Sequence, residues 1–144
     1  MNPHFVEILS AFRDEGVEFL VIGAHALAVH GHVRATLDID LWVKPTLENA
    51  ARTWRALERF RAPLSKMRIG DFAEPEVLYR IGLPPSRIDI MTSVTGLDFD
   101  TAWPNRMTAA FGNVDAPVLG LEDMRTAKRA AGRLKDLADL EELG

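Results

Sequence analysis

The stretch Asp38-Ile39-Asp40-Leu41-Trp42-Val43 constrains this chain more than any other. Its alternation of polar and apolar residues is the pattern of a half-buried strand. Neighbouring side chains in a strand point to opposite faces, so Ile39, Leu41 and Val43 share an apolar face. Asp38 and Asp40 share the other, with about 6.6–7 Å between their Cα atoms. Aspartate is depleted in strand interiors, so two in one strand require a reason. Two adjacent negative charges repel, and an oxygen-seeking divalent cation relieves them; Mg²⁺ (or Mn²⁺) is the natural one. Asp-x-Asp also arises on the solvated face of a strand or in the turn that starts one. On these two residues alone both readings stand.

The rest of the composition narrows the classes. At 144 residues, 47% of them hydrophobic, residues 1–144 read as a single domain with one sizeable core. The net charge of −4 argues against broad binding to nucleic acid or to anionic membranes. There is no cysteine, which excludes a disulfide framework, a thiolate zinc site and a cysteine nucleophile. Met1-Asn2-Pro3-His4 does not open a signal peptide, and no apolar run approaches a membrane span. The expected location is cytoplasmic, without a membrane partner.

Along the chain, Val6, Ile8, Leu9 and Phe12 recur at helical spacing, which predicts a helix over 3–15 ended by Gly16. Residues 17–22 predict a buried strand, and the Ala-rich 24–31 a short helix after Gly23. The Asp-x-Asp strand runs over about 38–44, stopped by Pro45. Thr46 caps a helix to Phe60, with Leu47, Ala50, Trp54 and Leu57 on its apolar side. Arg52, Arg55, Arg59, Arg61, Lys66 and Arg68 form a local basic stretch against Glu58 alone. A solvated helix face accounts for it better than a nucleic-acid surface does. Residues 77–81 and 87–91 read as a hairpin, with Asp89 on a face with Arg87 and Met91 and opposite Ile88 and Ile90. A short helix at Phe99–Trp103, an irregular strand before 113 and an extended piece at 116–119 follow. Helices at 121–131 and 134–143, the second with Leu134, Leu137 and Leu140 as its apolar stripe, close the chain. Strands and helices mix without a βαβ rhythm, so the predicted class is α+β with a mixed sheet.

Several of these residues form an ordered set. Asp89 sits amid isoleucines, where a carboxylate is costly unless it is paired, metal-bound or solvated. Gly23 opens a short helix with Ala24 and His25, and the backbone N–H groups of a helix start attract phosphate. Lys128 offers a point charge suited to a triphosphate. Three converging carboxylates can hold two metals across an in-line phosphoryl displacement. Singly, Gly23 is equally a strand-to-helix turn and Lys128 equally a solvated lysine.

Gly23-Ala24-His25-Ala26 followed by His30-Gly31-His32-Val33-Arg34-Ala35-Thr36-Leu37-Asp38-Ile39-Asp40 resembles the signature of minimal nucleotidyltransferases of the DNA polymerase β-like superfamily. The tail from Ala127 and Lys128 through Arg133, Lys135, Asp136 and Asp139 is similar to the closing helices of its abortive-infection and toxin–antitoxin branch. The resemblance implies a nucleotidyltransferase-like sheet flanked by helices, with a C-terminal helical pair. It also implies Mg²⁺ (or Mn²⁺), an NTP, and transfer of a nucleoside monophosphate to a hydroxyl of a tRNA, a protein or a small molecule. Asp38, Asp40 and Asp89 would then be the catalytic metal ligands. Gly23, Ala24 and His25 would seat the phosphates, and Lys128 would bind the triphosphate. An antitoxin, a companion subunit or a second copy of the chain would be the partner.

The family commonly has Gly-Ser or Gly-Gly where this chain has Gly23-Ala24, and Ala24 offers phosphate no hydroxyl. A second reading follows, in which the fold binds a nucleotide or a partner without catalysis. His25, His30 and His32 lack zinc-helix spacing. Arg34 and Thr36 read as turn-ordering groups. Asp136 and Asp139 read as ion-pair or surface residues, with Asp136 able to orient Lys128 or Arg133. Trp42, on the face of Asp38 and Asp40, is more a core residue than a base-stacking one.

Overall fold

A computed structural model describes residues 1–33 and 38–144. Arg34 and Thr36 lie outside the described residues. Six strands form one mixed sheet in the order β3-β4-β2-β1-β6-β5. They are β1 (Phe19–Ile22), β2 (Asp38–Val43), β3 (Leu78–Ile81), β4 (Arg87–Met91), β5 (Met107–Phe111) and β6 (Val114–Val118). β2 runs antiparallel to β1 and parallel to β4, while β1 and β6 are parallel. The hairpins β3/β4 and β5/β6 close the two edges. This is the expected α+β class.

The outer strands differ from expectation. The irregular strand and the extended piece are the two arms of a regular hairpin, turned at Gly112-Asn113 with Gly112 at φ +61°. An Ala-rich β5 and a Pro117 inside β6 hide this pattern in the sequence. β5 is the edge strand, and β6 pairs with β1 only at Val21 and Val118, so Pro117 forfeits little of the ladder.

Helices cover both faces. α1 (Pro3–Asp14) starts at Asn2, whose side chain accepts from the His4 N–H, and it packs Phe12 edge-on to Phe19. α3 (Leu47–Arg59) lies on the same face and is capped by Thr46. That face holds Ile39, Leu41, Val43, Ile88 and Ile90, all fully or almost fully buried. On the opposite face, Phe99 of α4 (Phe99–Ala102) packs edge-on to Trp42. Trp42 is thus a core residue, not a stacking platform.

α3 is rotated from the stripe expected for it. Leu47 is exposed, and Asn49 and Thr53 are buried with Ala50, Ala56 and Leu57. Hydrogen bonding decides the rotation. The Asn49 amide accepts from Glu18 N at 2.8 Å and donates to the Glu18 and Lys44 carbonyls at 3.0 and 2.9 Å. One side chain therefore ties the ends of β1 and β2 to α3. Half of the basic stretch is committed: Arg55 and Arg59 pair with Glu15, Arg59 also with Asp14, and Arg52 with Glu48.

α5 (Leu121–Ala131) and α6 (Leu134–Leu143) form the C-terminal pair, turned at Gly132 with φ +65°. The expected leucine stripe of α6 is overturned. Leu134 and Leu137 are exposed, whereas Asp136, Asp139 and Leu143 are buried. Two aspartates face inward because cations wait there, as described below. Among the described residues no helix is long and apolar enough to cross a membrane.

Candidate active site

β2 and β4 are parallel neighbours, and their register sets Asp40 directly opposite Asp89 and Asp38 opposite Arg87. The period of two then puts Asp38, Asp40, Arg87 and Asp89 on one face of the sheet. Antiparallel β3 adds Arg80 opposite Asp89. Three carboxylates and two guanidiniums thus share a small area at the start of β2 and β4. Asp89 is almost completely buried, and Asp38 and Asp40 are half-buried.

The charges settle into ion pairs. Arg87 Nη2 donates to Asp38 Oδ2 at 2.5 Å. Asp89 Oδ1 lies 3.3 Å from Arg80 Nε and 3.8 Å from Arg87 Nε, as ion pairs without hydrogen-bond alignment. Asp40 stands between its two fellow carboxylates. Its pKa is raised to about 6, by burial first and then by repulsion from Asp89 and Asp38, with Arg87 and Lys135 pulling partly against them.

Gly23 closes the site from β1. It begins α2 (Gly23–Val29) at φ +69°, and a Cβ there would lie 2.2 Å from Asp40 Oδ2. The helix start therefore abuts the carboxylate itself, and Ala24 follows one residue on. His25 turns elsewhere. Its ring packs between Phe5 and Phe111 with centroids at 5.5 and 6.4 Å. Burial lowers its pKa, against a hydrogen bond with the Asp38 backbone. His30 bonds the Leu119 carbonyl at 2.8 Å, so the histidines do not gather.

Lys128 also points to a different duty. Its Nζ lies 3.4 Å from Asp136 Oδ1 and 3.0 Å from Asp139 Oδ2, both buried. Arg133 Nε donates to Asp136 at 2.6 Å, and that bond holds the Asp136 carboxyl below the usual range, against its burial. Sequence reasoning missed Lys135, in the first turn of α6. It is exposed, and its charge acts on Asp40. Its effect on Asp40, not its spacing in the sequence, marks it.

As the side chains stand, no three His, Asp or Glu groups among the described residues converge tightly enough to cage an ion. The donors nonetheless fit Mg²⁺ or Mn²⁺ in kind, being carboxylate oxygens, with Asp40 buried and repelled by Asp89 and Asp38. Two surface concavities lie elsewhere, about 380 Å³ beside α1 and about 250 Å³ past the far end of β2 near Lys44 and Thr92.

Residues 5–144 match the model of a family described as nucleotidyltransferase of unknown function (DUF6036). The chain belongs to that family. Its fold is similar to the crystal structure of a Thermotoga maritima protein assigned provisionally as a nucleotidyltransferase. The TM-score is 0.66 at 19% identity, over 99% of this chain and 93% of that one. At that identity the likeness speaks for the fold. No curated protein matches the chain.

Proposed function

We propose that this family member is a divalent-metal-dependent nucleotidyltransferase that moves a nucleoside monophosphate from an NTP to a hydroxyl acceptor. The observation that carries the reading is the paired register of Asp40 and Asp89, with Asp38 on the same face and the Gly23 helix start against Asp40. When bound, Mg²⁺ or Mn²⁺ supplies charge neutralisation at the α-phosphate and lowers the pKa of the attacking hydroxyl. Asp38, Asp40 and Asp89 are the residues to hold it. Gly23 lets phosphate approach the backbone without a side chain between. Lys135, exposed and near enough for its charge to act on Asp40, is the cation we assign to the β- and γ-phosphates. In the reaction, the acceptor oxygen bonds to the α-phosphorus, the bond to the β-phosphate oxygen breaks, and pyrophosphate leaves. The hydroxyl proton passes to Asp89 or to water.

The test is thermal unfolding with Mg²⁺ and each of the four NTPs, wild type beside the double variant Asp38→Ala/Asp40→Ala. An NTP at about 100 times its Kd adds about 2.7 kcal/mol of stability. A metal-dependent shift with one NTP, lost in the variant, supports the reading and names the donor. Transfer of label from that NTP to tRNA, protein or small-molecule hydroxyls then identifies the acceptor. Binding without turnover of any acceptor favours the second reading, a non-catalytic nucleotide- or partner-binding protein, for which Ala24 in place of a hydroxyl-bearing residue speaks.

A further inference from the structure

We propose that Arg87 holds the place of the divalent metal between Asp38 and Asp89, so that metal enters by exchange of cations and is coupled to the arrival of phosphate. The inference rests on the transferase reading above.

Arg87 touches two of the three carboxylates at once, Asp38 at 2.5 Å and Asp89 at 3.8 Å. The guanidinium fills the space between Asp38 Oδ2 and Asp89 Oδ1, the space an ion bridging those two carboxylates would take. A metal–oxygen bond of about 2.0–2.1 Å for Mg²⁺ leaves no room for an N–H donor along the same direction. Metal entry therefore pushes Arg87 off Asp38. Its side chain is only 29% exposed, so the freed guanidinium does not simply pass into water. A half-buried cation without an anion is costly. Phosphate oxygens are the anions its planar fork matches best. Arg80 is the lesser competitor: it touches Asp89 alone, and at 56% exposure it can swing into solvent.

Two consequences follow. Metal alone binds weakly, because it must evict Arg87 without offering it a partner. Phosphate supplies that partner, so metal and phosphate strengthen each other's binding by one common factor. Arg87 is on this view a positioning residue, parked on the carboxylates until a phosphate draws it away.

Mn²⁺ titration of the full chain, read by electron paramagnetic resonance, tests this without any turnover. Wild type, Arg87→Met, Arg80→Met and Asp40→Asn are compared, and the Mn²⁺ complex of inorganic tripolyphosphate is titrated in parallel. Arg87→Met should bind Mn²⁺ alone about tenfold tighter than wild type, with a smaller gain for Arg80→Met and a loss for Asp40→Asn. Wild type should favour the tripolyphosphate complex over Mn²⁺ alone by about tenfold, within the usual range of coupling, and Arg87→Met should lose most of that preference. Arg87→Lys keeps a charge without the fork and stands in if Arg87→Met does not fold; it should fall between the two. Mn²⁺ binding by wild type that no Arg87 variant tightens overturns the inference and leaves the transferase reading standing. Absence of Mn²⁺ binding at millimolar concentrations in every folded variant overturns both.

Discussion

A methyl group on Gly23 would sit 2.2 Å from Asp40 Oδ2, and the Gly23 backbone is already left-handed at φ +69°. The glycine therefore serves two ends, the turn into α2 and the seat of the carboxylate. Gly23→Ala should cost roughly 1–2 kcal/mol through backbone strain, a modest fall in Tm. The carboxylate is the end of a short side chain and can rotate away, so the larger effect is on the site. Mn²⁺ affinity should drop about tenfold or more, well beyond what that destabilisation explains. An affinity equal to that of wild type would show that Asp40 does not need its present position.

Asp40 should make the metal-free protein less stable as pH rises. Its pKa is about 6 in the folded chain, raised by burial first and then by Asp89 and Asp38. The unfolded value is near 3.9. Between those values the folded state holds a proton that the unfolded state has released, so the slope of stability with pH is negative there. The loss begins near pH 4 and is complete above pH 6. Two pKa units correspond to about 3 kcal/mol as a ceiling. Urea unfolding of wild type and Asp40→Asn from pH 4 to 7.5 isolates this contribution as the difference between them. That difference should shift by about 2–3 kcal/mol in favour of the variant as pH rises, and saturating Mn²⁺ should cancel it in wild type. A pH-independent difference would mean that neither burial nor the neighbouring carboxylates raise the Asp40 pKa.

β2 and β4 were readable because each alternates charged residues with isoleucine or leucine, the period of a half-buried strand. That Asp40 meets Asp89 was not readable, since register is set by the whole sheet and no local signal reports it. The β5/β6 hairpin is marked only by Gly112-Asn113, because alanines and Pro117 weaken the strand pattern on either side. α3 and α6 were placed as helices, but the inward faces were misjudged. Periodicity counts apolar side chains, whereas Asn49 turns inward for backbone groups distant in the sequence and Asp136 for Lys128 around the Gly132 bend. Lys128 and Lys135 differ for the same reason: the sequence shows two lysines near one glycine, and only packing shows which one is already neutralised.

The buried Asn49 amide should prove more important to stability than any surface charge on its helix. It makes three hydrogen bonds to backbone groups of two strand ends. Asn49→Ala strands those groups and leaves a small void, a loss of roughly 2–4 kcal/mol. Arg52→Ala, which breaks an exposed pair with Glu48, should cost under about 1 kcal/mol. Urea midpoints of the two variants, measured with unchanged m-values, decide the comparison. Equal losses would mean that solvent replaces the amide.

The two lysines of the C-terminal pair should separate stability from phosphate binding. Lys128 Nζ lies within 3.4 Å of both Asp136 and Asp139, which are buried. Lys128→Met removes one positive charge from that cluster while Arg133 still holds Asp136. The loss should be roughly 1–3 kcal/mol, less than for a buried carboxylate left with no cation. Lys135 is exposed and its charge reaches Asp40, so Lys135→Ala should change stability by no more than about 0.5 kcal/mol. Its effect should fall on the triphosphate. The stabilisation given by the NTP and metal should weaken several-fold in apparent affinity, while Mn²⁺ alone binds slightly more tightly because a nearby like charge has gone. Thermal unfolding in the absence of ligand, then with Mn²⁺ and the NTP, measures both quantities on the same samples. If Lys128→Met keeps wild-type stability and loses nucleotide binding instead, Lys128 leaves its aspartates to meet the phosphates, and the division of labour between the lysines is the reverse of the one argued here.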